Sequence, residues 1–403
     1  MASSGSTRLE ISDWFVECAL LERPIGETVI AFADRLQDLG FSVQRINCST
    51  FQSHQIMGAV DSTWEQDTGH CETIFVPKSV LVRPDNIERP VGTMARGTSV
   101  YERYCLEDPR ERSRFPVLEE LFAKGYTDYI LLKQTYGRHL TWLDFTPDAE
   151  GVYGSFATKR SGGFSETEIE GLRSFWRPFA LFLKTTTEEM LSAKLLEAYV
   201  GNLPAQNILA GMTERGDGNR IKCALWYSDL RGSTRLSASL PSDKYLELLN
   251  NYFDCTAGSV IEHGGEVLKL IGDGVMSIFP VDGDNETQAC SLALSAAVTS
   301  LSKAADLHRD QFDVTAEFYF GIGLHLGEVI LGNVGTENRL DMTVTGHSAN
   351  QVTRIESLTK LLGLSVLASP QFHGAHPKEL TSVGKYPVPD FGGMTEIFSL
   401  LEK

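Results

Sequence analysis

The amino-acid sequence predicts an α+β protein in which a long helix connects two domains. Its 403 residues exceed the roughly 100–200 residues of one domain, and 42% hydrophobic with 22% charged residues is typical of globular chains. The first half alternates helical and strand-like patterns, whereas the second half has hairpin patterns separated by helices. We therefore expect an α/β domain at 1–184, a connecting helix and linker at 185–220, and an antiparallel sheet with helices at 221–403.

The charge and the cysteine content exclude several classes of function. Lys and Arg total 36 against 53 for Asp and Glu, so the formal charge is −17 at pH 7. Such a surface repels the phosphate backbone of nucleic acids and anionic lipid headgroups. The seven cysteines form no CxxC pair, which is typical of reduced cytoplasmic thiols. Neither a signal peptide nor an apolar run of the ~18–20 residues of a membrane span is evident. We therefore expect a cytoplasmic protein that binds neither nucleic acid nor membrane.

The elements of the first half follow from apolar spacing and turn residues. Helical spacing predicts helices at 24–39 and 116–124, each followed by a glycine. The stretch 52–114 is rich in proline, glycine and charge and predicts no element. Four strand-like runs are predicted at 41–48, 126–133, 139–145 and 152–158.

A long helix is predicted to follow these strands. It opens on a capping box at 165–168 and its pattern extends to about Tyr199, with a kink expected at Pro178 because proline removes one backbone hydrogen bond. Strands followed by the sequence Gly-Gly-Phe-Ser and this helix resemble a GAF-type sensor domain over about 116–184. The resemblance implies a small-molecule ligand for the N-terminal domain. A structural domain that only promotes dimerisation is the alternative.

The second half begins with a buried strand and continues through alternating helices and strands. A glycine-rich boundary precedes it at 201–220. The predicted elements are a strand at 222–228, a helix at 242–263 capped by Ser242, hairpin strands at 266–271 and 275–279, a helix at 286–308, strands at 317–326, 328–333 and 342–345, and a helix at 347–362.

Two acids of the second half lie at turns. Asp229 ends the first strand, and Asp273 lies between two glycines at the hairpin tip. If the two strands are neighbours in one sheet, both carboxylates converge at one end of it. Two carboxylates suit Mg²⁺, which completes its octahedral shell with water and phosphate oxygens. The amides of Gly232, Ser233 and Thr234 open toward a helix and are placed to cradle phosphates.

Four spaced motifs in this half resemble those of class III nucleotidyl cyclases. They are YSDLRGST at 227–234, KLIGDGVM at 269–276, FGIGLHLGEVILGNVG at 320–335, and RLDMTVTG at 339–346 with Asn350 and Arg354 beyond it. The match runs in order over about 221–372 and is specific. It implies a ferredoxin-like catalytic domain at 221–403, behind a GAF-like regulatory domain at 1–184.

The resemblance implies a metal site and a purine site. Asp229 and Asp273, with the carbonyl of Leu230, are expected to hold two Mg²⁺ or Mn²⁺ ions per active site. Lys269 and Thr343 match the purine-selecting pair, and a Lys donor with a Thr acceptor suits adenine. Guanine selection usually goes with Glu and Cys there, whereas Thr resembles a bacterial subgroup.

Asn350 and Arg354 complete the implied active site. They are four residues apart and therefore share one face of a helix. The resemblance implies that Asn350 orients the ribose and that Arg354 stabilises charge on the α-phosphate. In the family the metal acids come from one subunit and the purine pair, Asn and Arg from the other. We therefore expect a homodimer with two equivalent sites.

The predicted function is that of an adenylate cyclase, which converts ATP to 3′,5′-cyclic AMP and pyrophosphate under regulation by the N-terminal domain. Two departures from the family leave alternatives open. His347 stands where Asp or Asn is usual, and no base falls at the C-terminal phosphate-contacting turn, for which Lys385 is the candidate substitute. The alternatives are a cyclase-like nucleotide-binding signalling module with little or no turnover, and a guanylate cyclase.

Overall fold

The computed structural model describes residues 4–51, 57–81, 83–136, 150–310, 318–376, 378–389 and 391–400. The chain divides into two compact units, Met1–Leu195 and Leu196–Lys403. Each unit combines a sheet with helices, so the predicted α+β class is confirmed. The strand predicted at 139–145 lies outside the described residues.

The first unit contains an antiparallel sheet with helices on both faces. Its described strands are β1 Arg45–Phe51, β2 Met57–Glu65, β3 His70–Pro77, β4 Tyr101–Cys105, β5 Asp128–Thr135 and β6 Gly151–Thr158, in the order β3-β2-β1-β6-β5-β4. Its described helices are α1 Ser4–Leu20, α2 Ile25–Asp38, α3 Lys78–Leu81, α4 Pro84–Ile87, α5 Pro90–Arg96, α6 Pro109–Arg112, α7 Pro116–Ala123 and α8 Glu166–Val200, within which the chain divides.

Helices α1, α2 and α8 bury an aromatic cluster against one face of this sheet. The ring centroids of Phe15 and Phe32 are 4.9 Å apart, and that of Phe179 is 5.1 Å from each. Tilted and offset ring contacts of this kind add to the burial of apolar area. Helices α5 and α7 cover the other face through a second cluster that includes Met94 and Leu118. Both faces of the sheet are therefore buried.

The capping box predicted at the start of α8 is confirmed. The backbone N–H of Ser165 donates to Glu168 Oε2 over 2.8 Å, and the backbone N–H of Glu168 donates to Ser165 Oγ over 3.3 Å. The guanidinium of Arg160 also binds this carboxylate and, with the other hydrogen bonds, holds the pKa of Glu168 at about 2 despite its burial. Local sequence thus determines where this helix begins.

The sequence predicts no element in the stretch 52–114. In the structure this stretch contains β2, β3 and β4 and four short helices. In β2, Asp61 and Thr63 face one side of the sheet, while Ser62 and Trp64 face the other. Polar residues therefore occur on both faces, which removes the apolar–polar alternation by which a strand is recognised.

The second unit contains an eight-stranded sheet among its described residues. The strands are β7 Gly218–Leu230, β8 Glu266–Ile271, β9 Gly274–Pro280, β10 Phe320–Thr336, β11 Arg339–Thr345, β12 Val366–Ala368, β13 Leu380–Val388 and β14 Gly393–Leu400, in the order β13-β14-β12-β10-β7-β9-β8 with β11 paired to β10. All pairings are antiparallel except that of β10 with β12. The helices are α9 Asn202–Leu209, α10 Ser233–Ser239, α11 Ser242–Glu262, α12 Glu286–Asp310, α13 His347–Leu362 and α14 Pro370–Ala375.

Two predictions for this unit are wrong in detail. The strands predicted at 317–326 and 328–333 form one continuous strand, β10. Gly327 is not a turn residue: a Cβ there would overlap Ser348 Oγ and lie 2.9 Å from His325 Nε2, so the glycine permits α13 to approach the sheet. Ser242 is the first residue of α11 and does not cap it, because Pro241 occupies the N-cap position.

Two further properties concern membrane-spanning helices and cysteines. None of the helices in the described ranges has the length and apolar character needed to cross a bilayer. All seven cysteines are free thiols, and six of them are buried while Cys105 is exposed.

Candidate active site

The register of two strands brings Asp229 and Asp273 together. Strand β7 pairs antiparallel with β9, and Asp229 lies opposite Gly274, the residue after Asp273. The backbone N–H of Leu230 donates to the carbonyl of Asp273 over 3.3 Å. The two acids are therefore neighbours at one end of the sheet. This is the arrangement expected from the sequence if the two strands are adjacent.

The electrostatics of this acid pair suit a divalent cation. Burial and the negative charge of Asp273 raise the pKa of Asp229 to about 6, while Lys360 lowers it. A bound cation would offset the repulsion that raises this pKa. Among the described residues no group of three or more His, Cys, Asp or Glu surrounds a metal position. Two carboxylates without a full protein cage suit Mg²⁺ or Mn²⁺, whose remaining ligands are water and phosphate oxygens.

A third acid, Glu356, lies behind the pair and was not predicted from the sequence. It is buried on α13, and Thr359 Oγ1 donates to its Oε1 over 3.4 Å. Burial raises the pKa of Glu356 to about 7, and the charge of Asp229 adds to this effect while that of Arg231 opposes it. Gly321, which pairs with Asp229, leaves room for this carboxyl, because a Cβ there would lie against it.

Arg231 connects the loop after Asp229 to the end of α13. Its Nη2 donates to the carbonyl of Leu364 over 2.6 Å and to that of Thr359 over 3.3 Å. These carbonyls lie at the C-terminal end of the helix, where a cation is favourable. The loop after Asp229 and the end of α13 are therefore held together within one chain.

Asn350 and Arg354 lie on the outer face of α13. Both are exposed, whereas Val352 and Ile355 are buried against the sheet. Two residues along a helix correspond to roughly 200° of rotation, so Arg354 faces away from the side on which Glu356 meets Asp229. Within the described chain no hydrogen bond or ion pair engages the side chain of Asn350 or Arg354. The structure therefore does not bring them to the acid pair of their own chain.

The purine-selecting pair predicted from the sequence involves a further acid. Lys269 on β8 forms an ion pair with Asp341 on β11. Asp341 and Thr343 are two residues apart on that strand and therefore share one face. The ion pair holds Lys269 beside the strand that carries Thr343, and Asp341 is the residue that sequence reasoning missed. A cavity of about 370 Å³ opens next to this pair, with Met212 and Met342 in its wall.

The remaining predicted positions lie as follows. Gly232 adopts a left-handed conformation, with φ of 71°, immediately before α10, which starts at Ser233 and contains Thr234. Lys385 is exposed on the edge strand β13, four strand spacings from β7 and hence about 19 Å away. It cannot reach Asp229 of its own chain, so its contact with phosphates stays a prediction.

Comparison with known proteins defines the class of the second unit. Residues 219–398 match the family model described as the adenylate and guanylate cyclase catalytic domain. This segment is therefore similar to the catalytic domain of class III nucleotidyl cyclases.

The chain is also similar to named proteins. It resembles an adenylate cyclase of Anabaena cylindrica, with 32% identity over 160 residues, which is 38% of this chain and 30% of that protein. It is also similar to adenylate cyclase 1 of Rhizobium meliloti, with 30% identity over 158 residues, or 37% and 23% of the two chains. The matches thus span less than a third of either relative. A solved bacterial light-regulated adenylyl cyclase is 25% identical with a TM-score of 0.47, and the match covers 56% of this chain and 64% of that one.

Proposed function

We propose that the protein is an adenylate cyclase that converts ATP to 3′,5′-cyclic AMP and pyrophosphate in a homodimer, under regulation by its N-terminal unit. The observation that carries this proposal is the meeting of Asp229 and Asp273 at the end of the sheet. Their position within a cyclase catalytic segment and the adenylate cyclase names of the relatives support it.

The acid pair is the part of the site that holds metal. Asp229, Asp273 and the carbonyl of Leu230 are the ligands available to two Mg²⁺ or Mn²⁺ ions. Bound there, such ions supply Lewis acidity, which favours ionisation of the ribose 3′-hydroxyl and offsets charge on the triphosphate. Burial and the charge of Asp229 raise the pKa of Glu356 behind the pair to about 7, so this carboxyl is partly protonated at neutral pH. Gly232, Ser233 and Thr234 follow directly and offer amides to the phosphates.

Lys269 and Thr343 select the adenine base in this proposal. The ammonium group of Lys269 donates a hydrogen bond to a ring nitrogen of adenine, and the hydroxyl of Thr343 accepts one from the exocyclic amino group. Asp341 holds the flexible lysine side chain beside Thr343 before the nucleotide arrives. Less side-chain freedom then has to be lost when the base binds.

Asn350 and Arg354 belong to the site of the opposite subunit in this proposal. They are exposed on the face of α13 that is turned away from their own acid pair. In a two-fold dimer each chain contributes the same residues to its partner, which produces two equivalent sites. Arg354 then stabilises the charge that develops on the α-phosphate, while Asn350 orients the ribose.

Regulation is assigned to the N-terminal unit because of the continuity of α8. This helix starts in the first unit, and the division of the chain falls within it. It is therefore the covalent route by which a ligand of residues 1–184 could alter the catalytic segment. The GAF-like identity of those residues and the boundaries at 184 and 220 remain part of the proposal.

The test is a nucleotide assay on the purified protein. Incubation with ATP and Mn²⁺ is expected to give cyclic AMP by chromatography, and Asp273→Ala to remove at least 99% of it. Asp282→Ala is the matched control, because Asp282 is an exposed acid that follows β9, and it is expected to retain full activity. Absence of product despite ATP binding would identify a nucleotide-binding module instead. A higher rate of cyclic GMP formation from GTP would refute the adenine assignment.

A further inference from the structure

A cavity of about 360 Å³ lies within the first unit, and none of its lining residues belongs to the proposed active site. It is enclosed between strands β1, β2 and β3 of the sheet and the helices α3, α4, α5 and α7. Its volume falls within the range of pockets that hold small organic ligands, about 300–1,000 Å³. The strands form the floor of this cavity and the helices form its roof. The floor is largely polar and the roof is apolar, which indicates the class of ligand that the cavity binds.

The floor is polar and centred on the carboxylate of Asp61. Asn47 Nδ2 donates to Asp61 Oδ1 over 3.1 Å and to Oδ2 over 3.0 Å. Ser49 Oγ also donates to Oδ1, whereas Thr63 Oγ1 reaches Oδ2 only at 3.5 Å. A carboxylate has about four acceptor positions, so the Oδ2 side keeps capacity for a further donor. These four side chains face the cavity from adjacent positions of the paired strands β1 and β2.

No cation neutralises Asp61 in the part of the chain that the structure describes. Arg45 at the edge of the floor pairs instead with Glu65, with Nε and Oε1 3.3 Å apart. Arg89 lines the cavity from an exposed position at its rim. A half-buried carboxylate with neutral donors on one side and a cavity on the other is a site for a cation or for a strong N–H donor.

The roof of the cavity is apolar. It is formed by side chains from the covering helices, namely Val80, Leu81, Pro90, Val91, Val117 and Leu121. Ile74 and Val76 of β3 add apolar surface beside the polar floor, because Ile74 lies opposite Asp61 in the sheet and Val76 lies opposite Ala59. Such a surface favours a ligand whose body is hydrophobic or aromatic, because water leaves both surfaces on binding. A charged group at one end and an apolar body at the other therefore match floor and roof.

We propose that this cavity binds a small organic cation, an apolar amine or amidine whose N–H groups pair with Asp61. The inference deepens the regulatory part of the proposed function, since it gives the chemical class of the N-terminal ligand. Binding itself does not depend on cyclase activity.

The experiment is calorimetry on the full-length protein with 2-naphthamidine, with 2-naphthoate as a probe of the same shape and opposite charge. The amidine is expected to bind at one site per chain and the naphthoate at least tenfold more weakly. A charge-assisted hydrogen bond from the amidine to Asp61 Oδ2 makes Asp61→Asn lose about tenfold or more in amidine affinity. Asp67→Asn is the matched control, because Asp67 is exposed in the β2–β3 turn and pairs with Lys159.

A second variant distinguishes a loss of ligand binding from a loss of folding. Val117→Phe narrows the cavity from the roof and leaves the hydrogen bonds of Asp61 unchanged, so it is expected to weaken amidine binding without lowering the melting temperature. The proposal is overturned if the amidine gives no saturable binding, if both variants bind it as the wild type does, or if naphthoate binds more tightly. Amidine binding without cyclic AMP formation would contradict only the proposed function, and the reverse result would contradict only this inference.

Discussion

The outward position of Arg354 makes a sharp prediction about how active sites are shared between subunits. Asp273 and Arg354 lie on one chain, yet the α13 face that carries Arg354 is turned away from the acid pair of that chain. If each site takes its acids from one subunit and its arginine from the other, Asp273→Ala and Arg354→Ala damage different halves of the site. We therefore expect each variant alone to be inactive and the mixed dimer to recover activity.

The size of the recovery follows from counting sites. In a heterodimer of the two variants, one site carries both lesions and the other carries neither. One of two sites is intact, so the purified heterodimer should have about half the kcat of the wild-type dimer. A statistical mixture should reach about a quarter, because about half of its dimers are mixed. Each homodimer should lose about a thousandfold, the scale reported for arginines in phosphoryl transfer.

The assay is cyclic AMP formation by heterodimers that carry two different affinity tags and are purified over both. The matched control is the pair Asp229→Ala and Asp273→Ala, whose lesions lie in the same half of the site. In that heterodimer both sites are damaged, so no combination recovers activity. Recovery in the control pair, or none in the Asp273→Ala and Arg354→Ala pair, would refute the assignment of α13 to the opposite subunit.

Three further predictions follow from the site. Asp341→Asn frees Lys269 and should raise the KM for ATP about tenfold with little change in kcat, whereas a control at exposed Glu337→Gln should leave KM unchanged. The pKa of Asp229 is raised to about 6, above its ordinary value near 4, so the folded state binds protons that the unfolded state releases between pH 4 and 6. Stability of the metal-free protein should therefore fall as pH rises through this window, and Mn²⁺ should raise the melting temperature more at pH 7.5 than at pH 5; an equal rise at both would contradict this. Arg231→Gln removes two hydrogen bonds to the end of α13 and should cost about 2 kcal/mol in the free energy of unfolding by urea denaturation, with Arg235→Gln, an exposed position on α10, costing less than about 0.5 kcal/mol.

Much of the fold could be predicted because helix starts and turns depend on nearby residues. The capping box at Ser165 and the glycines around Asp273 are local signals, and both elements occur where they were expected. The sequence predicts two strands where the structure has the single strand β10, because Gly327 resembles a turn residue when only its neighbours in sequence are considered. Its packing against Ser348, which lies 21 residues later in the chain, decides that the strand continues.

The candidate site likewise has features that the sequence predicts and features that only the tertiary structure shows. The sequence by itself predicts which acids, which base-selecting residues and which arginine belong to the candidate site, since these lie in contiguous motifs with fixed spacing. The tertiary structure decided what surrounds them: the register that joins Asp229 to Asp273, the buried Glu356 behind the pair, and the hold of Asp341 on Lys269. In the first unit it also decided that the polar residues of β1 and β2 form the floor of a cavity. These contacts join residues that are distant in the chain, and their energies depend on burial and on pairing across strands, which no local pattern encodes.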